Sequence, residues 1–157
     1  MTIENSTYAE AAMLINKPVT TVFQAFLNPE ITTHFWFTKS SGNLEQGKTV
    51  KWTWEMYGSH SVAIKVLTIK ENESITVQWG DDEENIVEWE FNDLGESKTF
   101  VTITFNGITG TIEELCSQIR DTTEGFTLVL AGLKAYLEHN IKLNLVPDRF
   151  PIELTQE

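Results

Sequence analysis

The sequence predicts an α+β fold in which a curved antiparallel β-sheet wraps around one long C-terminal α-helix, with two short helices after the first strand. Three observations predict it. Across residues 49–106, apolar and polar residues alternate in run after run, the period of strands with one dry face and one wet face. Across residues 123–139 (TEGFTLVLAGLKAYLEH), Phe126, Val129, Leu130, Leu133, Tyr136 and Leu137 recur at the spacing of one helix face. Each strand offers large apolar side chains on one face only, so the sheet is a single layer that needs one cover, and this helix is the longest apolar face available.

Taken in order, residues 7–15 read as the first strand, running into Asn16-Lys17-Pro18. Proline suits the first turn of a helix, and Val19, Val22, Phe23, Phe26 and Leu27 follow at helical spacing, so residues 18–27 form the first helix. Asn28-Pro29-Glu30 repeats the start signal of a capping residue, a proline and an acid, which opens a second helix over 29–35. Residues 37–47 read as a loop with a short strand near 41–44. Strands are then expected over 49–56, 60–69, 74–79, 85–92 and 99–106, joined by short turns into a meander. In the 60–69 run the parity shifts at Leu67 and Ile69, which indicates a bulge. Thr111 and Glu114 form a capping-box pair, so a short helix is expected over 111–120. Asp121, Thr122 or Thr123 then caps the long helix, which ends near Asn140. The tail beyond it, with Pro147 and Pro151, reads as extended, its first part packing back through Leu143, Leu145, Phe150 and Ile152.

A chain of 157 residues with 41% hydrophobic and 22% charged residues fits one domain with a real core. Its formal net charge of −12 repels phosphate backbones and anionic lipid headgroups, which disfavours nucleic acid and membranes as partners. One cysteine, Cys116, forbids an intrachain disulfide and fits a reducing compartment; it reads as a buried or half-buried small residue. The N-terminal residues lack a basic leader followed by an apolar run, and no window is apolar enough for a membrane-spanning helix, so the expected location is the cytoplasm.

The order of strand, two short helices, meander and long helix is that of a helix-grip fold. Four sets of residues carry a closer resemblance: Pro18-Val19, Val22-Phe23 and Ala25-Phe26 followed by Pro29-Glu30; His34-Phe35-Trp36; Gly125-Phe126 with Leu130, Leu133-Lys134 and Leu137-Glu138; and Asp148-Arg149-Phe150-Pro151. In these the chain resembles the SRPBCC or START-like superfamily, and within it the branch named for the activator of the ninety-kilodalton heat-shock chaperone's ATPase. That branch commonly has tryptophan where this chain has Phe126. The resemblance implies a cavity between sheet and helix more firmly than it implies one activity.

The expected inward side chains are largely aromatic: Trp52, Trp54, Trp79, Trp89, Phe91 and Phe105 from the strands, and Phe35, Trp36, Phe126 and Leu130 from the helical elements. A largely apolar pocket with few polar groups is a typical small-molecule site, against the plainer reading that the rings fill a core. On this reading residues 126–133 of the long helix border the cavity, while Tyr136 and Leu137 pack. His60 shares parity with Val62 and Ile64 and faces Trp54 across a hairpin. It is the one candidate for a polar anchor or general base, against the favoured reading as a rim residue. His34 stands beside the entrance. No catalytic set, metal site or cofactor motif is legible; Asp81-Asp82-Glu83-Glu84 reads as a solvated turn. The functional expectation is binding of a small hydrophobic or aromatic molecule between sheet and helix. The alternatives are a chaperone accessory protein or a cyclase- or hydrolase-type enzyme using the same cavity. The chain is expected as a monomer or homodimer.

Overall fold

The structure, a computed structural model, describes residues 7–155. Its elements run β1 (Ala9–Ile15), α1 (Val19–Leu27), α2 (Pro29–Thr32), β2 (Lys39–Ser40), β3 (Thr49–Trp54), β4 (His60–Lys70), β5 (Ser74–Trp79), β6 (Ile86–Gly95), β7 (Lys98–Asn106), α3 (Ile112–His139), α4 (Leu145–Arg149) and α5 (Ile152–Thr155). The seven strands form one antiparallel sheet in the order β1-β7-β6-β5-β4-β3-β2. It is a curled half-barrel that grips α3, the helix-grip α+β fold. The meander arises because each hairpin joins sequence neighbours, and the chain then places β1 on the free edge of β7.

Strand parity sets what is buried. Val50, Trp52 and Trp54 of β3, Ile64 and Val66 of β4, Ile75 and Val77 of β5, Val87, Trp89 and Phe91 of β6, and Val101 and Ile103 of β7 are all buried. The bulge falls between Val66 and Thr68, where the extra residue Leu67 turns to solvent. In β1 the inward positions are Ala9, Ala11 and Ile15, and the small side chains of Ala9 and Ala11 let α3 lie close across the strand. Two polar ties hold this contact. Lys134 Nζ donates to Leu14 O at 2.8 Å, and Glu138 accepts from Asn16 N at 2.9 Å, Asn16 Nδ2 at 3.2 Å and Lys134 Nζ at 2.7 Å.

The short helices plug the sheet beside α3. Phe23 and Phe26 of α1 meet Phe91 at 5.2 and 6.0 Å between ring centroids, and Phe26 meets Trp89 at 5.9 Å. Asn28 caps α2 by accepting from Glu30 N at 3.0 Å. Thr32 is buried because its Oγ1 donates back to Ala25 O at 2.6 Å, which fixes the angle between the two helices.

Four expectations are corrected. The two helices read over 111–120 and 123–140 are one continuous helix, α3, capped at Thr111 by the full capping box. Asp121, Thr122 and Thr123 prefer caps, but their penalty in a helix interior is small; Thr127 Oγ1 donates to Thr123 O at 2.7 Å within the unbroken helix. The strand read over 49–56 ends at Trp54, and Glu55–Tyr57 form a single 3₁₀ turn closed by Gly58 at φ 67°. The tail is not extended: α4 and α5 form, with Pro147 in the first turn of α4, where its missing N–H leaves no bond unmade. Cys116 is exposed, on the first part of α3, where no residue before Phe126 is buried.

Candidate functional site: an aromatic cleft under the C-terminal segment

Between α3, the concave face of the sheet and α4 lies a cleft of about 270 Å³. Ligand pockets typically run about 300–1,000 Å³, so this one lies at the small end of that range. Its apolar wall is a closed circuit of four rings. Trp36 stacks on Trp79 (6.1 Å, 21°), Trp79 meets Phe105 (6.3 Å), Phe105 meets Phe126 (6.5 Å), and Phe126 meets Trp36 edge-on (6.2 Å, 84°). Each comes from a different element: the turn after α2, the end of β5, the end of β7 and the middle of α3. The curl of the sheet brings the strand ends together under the helix.

The α3 side of the cleft is made by Asp121, Thr122, Glu124, Gly125, Phe126, Leu128 and Val129. The expected border, 126–133, is therefore shifted by about one helical turn: Leu130 and Leu133 are fully buried in the core. The fourth side is the C-terminal segment, through Val146, Arg149 and Phe150. It is tied down at two points. The Tyr57 hydroxyl donates to Val146 O, and Arg149 Nε donates to Glu124 Oε1. The Arg149 guanidinium also lies 4.5 Å over the Phe150 ring. Burial raises the Tyr57 pKa above its ordinary value, and the neighbouring Arg149 charge pulls the other way. The phenol is thus a neutral donor at physiological pH, as its bond to the Val146 carbonyl requires.

Of the residues singled out from sequence, Trp36, Trp79, Phe105 and Phe126 stand in the cleft wall. Trp52, Trp89 and Leu130 are sealed in the core, and Phe35 and Phe91 are buried behind the wall. The indole Nε1 of Trp89 is buried without a hydrogen-bond partner, the one such side-chain atom among the described residues. Trp54 and His60 line a shallower neighbouring pocket of about 170 Å³ with Val62, and it shares Tyr57 and Trp79 with the cleft. His60 pairs with Trp54 in the β3–β4 register, 6.0 Å between rings, but is exposed and outside the main cleft. His34 stacks on Tyr136 at 4.4 Å, a packing role on the far half of α3.

Sequence reasoning missed Tyr57, Val146, Arg149, Glu124 and Asp121. Tyr57 lay in an expected turn, and the pairs that make the site are 89 and 25 positions apart, so no local pattern joins them. The signal that was available is Phe150 in a tail already expected to pack back. Among the described residues, no group of three or more His, Cys, Asp or Glu side chains is placed to hold a metal ion, and no helix is long and apolar enough to cross a membrane.

No curated protein matches the chain significantly. Among solved structures, a crystal structure of a protein from Staphylococcus saprophyticus is 31% identical, covers 87% of this chain and 95% of its own, and superposes with a TM-score of 0.74. The solution structure of an Aha1 dimer from Colwellia psychrerythraea is 17% identical over 84% of this chain and 96% of its own, with a TM-score of 0.72. The crystal structure of CalU16 from Micromonospora echinospora is 13% identical over 88% of this chain and 79% of its own, with a TM-score of 0.66. The last two are similar in fold alone. The family model described as Activator of Hsp90 ATPase homolog 1-like protein matches residues 16–138, which run from the turn after β1 to the last turn of α3. The chain belongs to the Activator of Hsp90 ATPase homolog 1-like family, with its SRPBCC-type helix-grip fold.

Proposed function

We propose that the protein binds a small, flat, largely apolar molecule in the cleft between α3, the sheet and α4, acting as a single cytoplasmic domain over residues 1–157. The observation that carries this reading is the four-ring circuit of Trp36, Trp79, Phe105 and Phe126 around a cleft of about 270 Å³. Rings in a solid core close on one another; here four touching rings border a volume with room for another. The polar groups at the rim, Asp121, Glu124 and Arg149, favour a neutral or cationic ligand, and so does the net charge of −12. A ligand of about a dozen heavy atoms contributing roughly 0.5 kcal/mol each corresponds to a dissociation constant on the order of 10–100 μM. The test is a panel of neutral and cationic aromatic compounds, followed by tryptophan emission and melting temperature. Binding quenches or shifts emission and raises the melting temperature for some members; silence across the panel overturns the reading.

A second reading, a chaperone accessory protein, is favoured by the family match and by the exposed apolar side chains Ile141, Leu143, Ile152 and Leu154 after α3. A pull-down with the chaperone ATPase tests it, and absence of a complex removes it. An enzyme of cyclase or hydrolase type ranks lower, because His60, its acid–base candidate, stands outside the wall of the main cleft.

A further inference from the structure

Two glycines lie inside α3, and they differ in a way that bears on the cleft. Glycine weakens a helix interior relative to alanine, so each calls for a reason. Gly132 has one: a β-carbon there would lie 3.1 Å from Phe35 Cβ and 3.4 Å from Phe35 O, so the absence of a side chain lets the helix approach that segment. Gly125 has none of this kind. A β-carbon built on it meets nothing within 4 Å, and its backbone is ordinary helix, not the left-handed conformation that glycine serves elsewhere in the chain. Neither folding geometry nor close packing of the protein on itself accounts for this residue.

Its position does. Gly125 lines the cleft, next to Phe126 and one turn before Val129. We propose that Gly125 is the ligand-clearance position of the cleft: it exposes a strip of α3 backbone against which the flat face of an aromatic ligand lies. This rests on the ligand-binding reading above and narrows it to planar rings. A bare helix backbone presents a shallow, flat surface that a planar ring covers at van der Waals distance, and a β-carbon projecting there holds the ring away. The absent side chain weakens the helix and enlarges the cleft, so its effect is on the space for an occupant rather than on the fold.

The test compares wild-type protein with Gly125→Ala and Gly125→Val, using prodan, a neutral naphthalene dye whose emission moves to the blue in apolar surroundings. Gly125→Ala removes only the helix penalty, so its melting temperature rises by about 2–4 °C. Its affinity for prodan falls at least about five-fold, and that of Gly125→Val falls further, because dispersion contact is lost steeply with separation. Stability up and binding down together is the result expected. If wild-type protein binds the dye and Gly125→Ala binds it equally well, the clearance role is overturned while the binding reading stands. A drop in the melting temperature of Gly125→Ala also overturns the clearance role, since it shows that the fold itself needs the glycine. If wild-type protein binds neither the dye nor any member of the aromatic panel, both readings fall.

Discussion

Arg149→Ala separates the stability of the cleft's fourth side from that of the fold. In the native protein Arg149 pairs with Glu124 and lies 4.5 Å over Phe150. The two charged side chains are 46% and 42% exposed, so solvent screens the pair and it contributes about 0.5 kcal/mol. The exposed cation–π contact adds about 0.5 kcal/mol. The sum is about 1 kcal/mol, roughly a five-fold change in a local equilibrium. It acts locally because α4 is a five-residue helix tied to the body by the Arg149–Glu124 pair, the Tyr57 bond to Val146, the Tyr57–Phe150 ring contact and the packing of Val146 on the core, while the cation–π contact steadies Phe150 within the segment. Amide hydrogen exchange reads it directly. The N–H of Asp148, bonded to Asn144 O at 3.1 Å, and that of Phe150, bonded to Pro147 O at 3.3 Å, should exchange about five-fold faster in the variant. Amides of the central strand β5 should exchange unchanged. The Tyr57 phenol, relieved of a positive neighbour, should titrate higher still. High salt should shrink the difference from wild type, because it screens the same pair. Equal acceleration of strand and α4 amides, or no acceleration of either, would refute the local-opening argument.

Three further substitutions probe what holds the cleft in place. Partial burial pushes the Glu138 carboxyl upward, but hydrogen bonds from Asn16 and Lys134 outweigh it and hold the pKa below its ordinary 4.5. Its stabilising effect is therefore complete above that ordinary value and is lost as pH falls through the lower folded value. Glu138→Gln should cost about 1–2 kcal/mol at pH 7 by urea denaturation, with the gap to wild type closing in acid. Gly107→Ala should cost at least about 2 kcal/mol, since the residue sits at φ 86° and a β-carbon would stand 2.0 Å from Glu84 O; equal stability would mean that the β7–α3 turn is built differently. Phe126→Ala should lose about 3–5 kcal/mol, because a buried ring that touches Trp36 and Phe105 leaves a cavity, and a loss under 1 kcal/mol would place that ring elsewhere.

How much of this was readable in the chain depends on the range of the interaction responsible. The run over 74–79 reads as a strand and is β5 with the same ends, because burial of Ile75 and Val77 on one face writes a period of two into adjacent residues. The bulge near Leu67 left the same kind of local mark as a break in parity. The sequence suggests a joint at Asp121 where the helix is continuous, because capping residues are only weak evidence against helix and the capping box at Thr111 already supplies a start. The site divides in the same way. Trp52 and Trp79 look alike in sequence, both inward on their strands, yet one is sealed at 1% exposure and the other forms the cleft wall. Only the curl of the sheet distinguishes them. Tyr57, Val146 and Arg149 enter the site through contacts between distant parts of the chain, and no spacing within one element records them.

The five tryptophans allow one direct measurement of ligand binding in the cleft, since each contributes its own indole N–H signal to an NMR spectrum. Titration with a planar aromatic ligand should move the Trp36 and Trp79 signals most, because both border the cleft. Trp52 and Trp89, sealed at 1% and 0% exposure, should move least, and Trp54 in the neighbouring pocket should fall between. Saturable shifts in that order would support the cleft as the binding site. No shift with any ligand of the panel, or a response centred on Trp54, would contradict it.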